Sequence, residues 1–121
     1  MMVVSTDKGD FSFQSVDDVL KFIQTAAQEN NEIWISGEQS YPCIAVCING
    51  EYAAINYFQD NEGDMWLSYN EENQEEVTFV AGGEEWVPDV NAVISLSSVF
   101  SCVMEFCTTH ERPSCIQWQE L

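Results

Sequence analysis

The single histidine of the chain, His110, stands beside Glu111 and three residues after Cys107. On a helix that continued to 110, thiol and imidazole would share a face, the minimum for a nucleophile with its base. A buried cysteine near a helix end is the commoner arrangement, so the spacing alone does not make an enzyme. For zinc, Cys43 and Cys47 on one strand would lie about 13 Å apart, too far to share an ion. Cys102, Cys107, His110 and Cys115 are irregularly spaced and contain no C-x-x-C. His110-Glu111 and Pro113-Ser114-Cys115 only echo the H-x-E and P-C-x-x-C of zinc deaminases. Asp60, Glu62, Asp64, Trp66, Ser68 and Glu71 fall at positions 1, 3, 5, 7, 9 and 12 of a calcium-loop frame, but the required glycine at position 6 is Met65. No phosphate-binding glycine loop or Ser-His-Asp set is present. The expectation is a protein that is not an enzyme and needs no metal or cofactor.

What remains is a concentration of carboxylates interleaved with aromatic rings. Three Lys+Arg stand against 21 Asp+Glu, a net charge of −18 over 121 residues. Between Lys21 and Arg112 there is no Lys or Arg, while 16 of the acidic residues fall there. Asp60, Glu62, Asp64, Glu71, Glu72, Glu75, Glu76, Glu84, Glu85 and Asp89 crowd into one stretch with Trp66, Tyr69 and Trp86. Like charges within a Debye length of about 8 Å repel, so the crowding costs folding energy. It serves either solubility or a basic partner, and tryptophan and tyrosine are the side chains enriched at interface hot spots. The charge argues against direct binding of nucleic acid or an anionic membrane, both of which require basic side chains.

These residues must be carried by a core, and 45% hydrophobic with 12% aromatic residues supplies one, as a single domain over 1–121. Val16, Val19, Leu20, Ile23 and Ala27 recur at helical spacing behind a Ser15 cap, predicting a helix over about 16–28. Glu32 to Ser36 reads as a strand and 37–42 as a loop. Asn49-Gly50 between two β-prone runs predicts a hairpin over Cys43 to Phe58, with these two as the central residues of a type I′ turn. Beyond an acidic turn at 60–64, Met65–Tyr69 and Val77–Val80 read as further strands extending a meander that Gly82 and Gly83 end. Val93, Ile94, Leu96, Val99, Phe100, Val103, Phe106 and Cys107 predict a second helix over about 91–108, stopped by Arg112-Pro113 before a last strand at 116–119. The order indicates an α+β fold: an antiparallel β-sheet meander with two α-helices packed on one face. The N-terminus lacks the basic and long apolar regions of a signal peptide, and no apolar run approaches a membrane span. The five cysteines are odd in number and sit in apolar segments, which suits reduced, buried thiols and a cytoplasmic setting.

Tyr41-Pro42-Cys43-Ile44-Ala45-Val46, the run from Asn49-Gly50-Glu51-Tyr52 to Phe58, and the ending Arg112-Pro113-Ser114-Cys115-Ile116-Gln117-Trp118 resemble the Imm1 family of bacterial immunity proteins. An apolar helix running into the Arg-Pro pair, as Val93 to Cys107 does, belongs to the same pattern. The resemblance implies a small α+β protein encoded beside a polymorphic toxin, often a nucleic-acid deaminase, which it binds and blocks inside the producing cell. It also implies a structural role for Trp118 in packing the last strand, and no catalytic residue. The acidic stretch lies outside the resembling blocks. The expected partner is a cognate toxin domain with a basic active-site face, met by the carboxylates of 60–85 with Trp66, Tyr69 and Trp86. The chain itself is expected to be a monomer or weak homodimer. An acidic ligand- or calcium-binding domain without a toxin partner is the alternative, and an enzyme built on Cys107 and His110 comes third.

Overall fold

The structure, a computed structural model, describes residues 2–26 and 30–121. Among these residues, ten strands and two helices follow the order β1 (Met2–Thr6), β2 (Gly9–Phe13), α1 (Val16–Ala26), β3 (Asn31–Ser36), β4 (Cys43–Asn49), β5 (Tyr52–Phe58), β6 (Met65–Tyr69), β7 (Phe79–Ala81), β8 (Glu84–Trp86), β9 (Ile94–Ser95), α2 (Leu96–Thr109) and β10 (Gln117–Glu120). Eight strands form one antiparallel sheet in the order β10-β6-β5-β4-β3-β1-β2, with β9 paired to β5; β7 and β8 form a separate hairpin. The fold is α+β. Both helices cover one face, where Val19 and Ile23 of α1 and Val99, Val103 and Phe106 of α2 meet Ile33, Ile35, Ile44, Val46, Ile48 and Ile55.

Strand alternation sends the intervening residues to the opposite face. There a second, smaller core forms from Cys47, Ala54, Val77, Phe79 and Val93, with Ala81 and Trp86 packed against it. The segment 77–93 thus folds back as a flap over part of the sheet. This corrects the sequence expectation for Val77–Val80, which does not extend the meander. Gly82 and Gly83 do not simply end a strand either. With φ of 60° and 80° they make the tight turn between β7 and β8, the geometry open to glycine at both central positions of a type I′ turn.

The hairpin over 43–58 forms, with its turn displaced by one residue. Asn49 pairs with Tyr52, so the central residues are Gly50 and Glu51, and only Gly50 has positive φ, as in a type II′ turn. Asn49 is then free to donate its side-chain N–H to the Thr78 carbonyl at 2.8 Å, tying the hairpin to the flap.

Helix α2 starts later than its apolar spacing predicts. Val93 enters the small core and Ile94 the large one, so these neighbours face opposite sides as strand residues do, after a 3-10 turn at Val90–Ala92. Ser95 caps the helix by accepting from the Ser98 N–H at 3.3 Å. Helix α1 runs Val16–Ala26; the expected continuation through Ala27 and Gln28 lies outside the described residues. The hairpin β1–β2 has no counterpart in the sequence reading. β1 offers only the short apolar run Met2-Val3-Val4 and is placed by non-local pairing with β3, while β2 is mostly exposed and carries no apolar pattern.

Trp118 donates its indole N–H to the Pro113 carbonyl at 2.7 Å and packs on Tyr57, 6.3 Å between ring centroids. That is the packing role the resemblance implies. Buried Ser68 accepts the Ile55 N–H at 3.1 Å and donates to the Ala92 carbonyl at 2.7 Å, fastening β5, β6 and the base of the flap together.

Candidate functional site

One stretch of carboxylates in the sequence becomes three groups in space. Asp60, Glu62 and Asp64 lie in the β5–β6 turn, closed by the Gln59 N–H on the Asp64 carbonyl and by Asp60 Oδ1 accepting the Glu62 N–H at 2.9 Å. Glu71, Glu72, Glu75 and Glu76 lie beyond the other end of β6, roughly 20 Å along the extended chain from Asp64. Glu84 and Glu85 are carried on β8 of the flap. All of these are exposed except Asp60, which is half-buried.

The 71–76 loop is shaped by amides, which leaves its carboxylates to solvent. Asn70 Oδ1 accepts the Glu72 N–H at 3.2 Å, and Asn73 Nδ2 donates to the carbonyls of Glu75 at 2.9 Å and Val90 at 2.7 Å. Of the four carboxylates, Glu75 accepts the Tyr52 hydroxyl at 2.6 Å, and this bond, with the negative charge behind it, holds the Tyr52 pKa above its ordinary value.

The three expected aromatic anchors are each half-buried. Trp66 packs on the helix side of the sheet, 5.7 Å from Tyr57, with the Arg112 guanidinium 4.8 Å from its ring centroid. Tyr69 stands opposite Gln117 of β10 on the other face. Trp86 leans on Phe79 at 6.2 Å and belongs to the small core.

The calcium frame does not close on an ion, because β6 runs through its second half and holds Asp64 and Glu71 at opposite ends. Among the described residues no three His, Cys, Asp or Glu side chains converge as a metal would require. Cys107 and His110 do not share a helix face: His110 is the left-handed C-cap of α2 at φ 56°, and its ring lies against Gly37.

Burial pushes the Cys107 thiol up to about 11, Cys43 to about 11 and Cys47 to about 12, which is the reverse of nucleophile activation. Cys115 is exposed, against the expectation of buried thiols throughout, with its sulfur 3.2 Å from that of Cys102. Because these folded-state values are raised, the native chain holds thiol protons that the unfolded chain releases. The resulting stability is fully present below pH 9 and is lost as pH climbs toward 11–12. Urea midpoints measured from pH 7 to 11 should therefore be level at first and fall above about pH 9; a flat profile would mean the thiols are hydrated in the folded state.

The sequence reading missed the part of the sheet that the flap leaves uncovered. Asp10, Ser5, Trp34, Ala45, Asn56, Leu67 and Gln119 stand side by side in ladder register on the face away from the helices. Trp34 is 38% exposed and stacks on Phe58, with centroids 5.2 Å apart and planes at 17°. Their strands are separated by β4, a span of about 9.6 Å. The rings therefore lean together above it, where Ala45 and Cys43 are small enough to leave room. Alternation could have shown this, since Trp34 sits between two inward isoleucines, Ile33 and Ile35.

Among the described residues no helix is long and apolar enough to cross a membrane. The chain matches the family model described as immunity protein Imm1 over residues 7–120. No curated protein matches it.

Proposed function

The chain belongs to the Imm1 family of immunity proteins, which inhibit a cognate toxin by binding it and are not enzymes, and on that premise we propose that it binds through its acidic surface. In this reading the carboxylates of 60–64, 71–76 and 84–85 occupy a basic, nucleic-acid-binding face of the toxin and take the place of substrate phosphates. The deaminases and other nucleic-acid-targeting toxins are the class with such a face. Tyr69 and Trp86 supply partly exposed apolar area beside the carboxylates. Trp66, the third aromatic of this stretch, is half-buried between Tyr57 and the Arg112 guanidinium. Binding takes place in the cytoplasm of the producing cell, by one domain acting as a monomer or weak homodimer.

The observation that carries the proposal is the disposition of the carboxylates. The loop at 71–76 is folded by asparagines, so most of its acids are spared for a partner. With three Lys+Arg in the whole chain, no internal pairing could neutralise them. Such a surface raises the local potential and speeds encounter with a cation-rich protein.

Competition tests the proposal. A labelled single-stranded oligonucleotide bound to the catalytically silenced cognate toxin should be released stoichiometrically as the immunity protein is added. A stable ternary complex would place the toxin's nucleic-acid site outside the interface.

A further inference from the structure

We propose that the uncovered sheet face at Trp34 receives a cationic side chain, an arginine or lysine, of the toxin. The inference rests on the reading of a basic toxin partner and adds the place where one of its cations is held. Between this face and the β7–β8 flap lies a groove of about 340 Å³ whose lining includes Ser5, Asp7, Glu32, Trp34, Val80 and Gly82. Its chemistry is an indole face with two carboxylates and no lysine or arginine among the lining residues.

Glu32 is already fixed in place, its Oε1 accepting the Gly82 N–H at 3.1 Å, so its charge is aligned before a ligand arrives. Trp34 is likewise pre-set by its stack on Phe58, which leaves little rotamer freedom to lose on binding. An aromatic face attracts a cation through its quadrupole, tryptophan most strongly, and flanking carboxylates add charge pairing.

Charge also chooses the occupant. A second copy of the chain would bring another −18 to the same face, and nucleic acid would bring phosphates; both are repelled. A basic protein surface is the partner with opposite sign. The groove is separate from the 71–76 loop, so it would hold an anchor while that loop steers.

Two measurements test this on the intact protein. In a titration with nona-arginine followed by indole N–H resonances, the Trp34 signal, assigned by its loss in Trp34→Phe, should shift well before those of Trp66 and Trp118. Uniform small shifts would overturn the proposal. Against the cognate toxin, Trp34→Ala should weaken binding at least about tenfold. Trp34→Leu, which keeps the apolar cover over Ala45, should lose nearly as much, while Trp34→Phe should be intermediate. Wild-type binding by Trp34→Leu, with an unchanged urea midpoint, would sink the cation site. If that result came with slowed association in variants of the 71–76 loop, the acidic-surface reading would stand and only this inference would fall.

Discussion

Replacing Phe79 by alanine is expected to remove about 3–5 kcal/mol of folding stability, a large part of the 5–15 kcal/mol typical of a whole domain. Phe79 is fully buried and is the largest of the buried side chains in the small core, where its neighbours Cys47, Ala54, Val77 and Val93 cannot fill the space it would leave. The cost falls on the flap. Phe79 seats β7 on the sheet and carries Trp86 against itself, so its loss frees the segment that presents Glu84 and Glu85. Urea unfolding should show the lowered midpoint, and limited proteolysis should find a new sensitive site within 77–93. A loss below about 1 kcal/mol, the scale of an average substitution, would mean the flap is held by its polar ties at Asn49 and Asn73 rather than by its core.

Reversing four charges, Glu71→Lys, Glu72→Lys, Glu75→Lys and Glu76→Lys together, should act in the opposite sense on folding and on binding. Relieving repulsion in a chain of net charge −18 should leave stability level or raise it at low salt. Association with the toxin should nonetheless slow by roughly 10- to 1000-fold, the range over which surface potential accelerates encounter. Among the described residues, the one side-chain bond sacrificed is that from Tyr52 to Glu75, at an exposed site where it contributes little. A variant that folds at least as well and binds far more slowly cannot be explained by misfolding. Unchanged association would move the steering surface to another part of the chain.

The parts of this fold that could be read from the chain are those whose burial is local. β4 and β5 announce themselves because each buries residues on both faces, giving two apolar runs with the turn signal Asn49-Gly50 between them. The face of α2 is legible for the same reason. β1 and β2 are not, because β1 is placed by pairing with β3, far along the chain, and β2 pairs in turn with β1 at the sheet edge. Val93 and Ile94 imitate helix spacing, and only the existence of a second core beyond the sheet makes them a strand.

At the site, the carboxylates were visible as composition, and the strand expected at Met65–Tyr69 already set 60–64 apart from 71–76; the placement of Glu84 and Glu85 on a flap over a second core was not legible. Trp34 was hidden for a different reason. Within Ile33-Trp34-Ile35 it looks like one more core residue, although strand alternation sets it on the face opposite the two isoleucines.

In the proposed mechanism, negative charge on this surface draws the toxin in. This is tested most directly by the association rate constant with the cognate toxin as a function of ionic strength, measured for the native protein and for the four-fold reversed variant. The native rate should fall steeply as salt shortens the Debye length from about 30 Å at 0.01 M to about 8 Å at 0.15 M. The reversed variant should start lower and depend on salt much less. A native rate constant that stays flat across that range would contradict the acidic-surface mechanism outright.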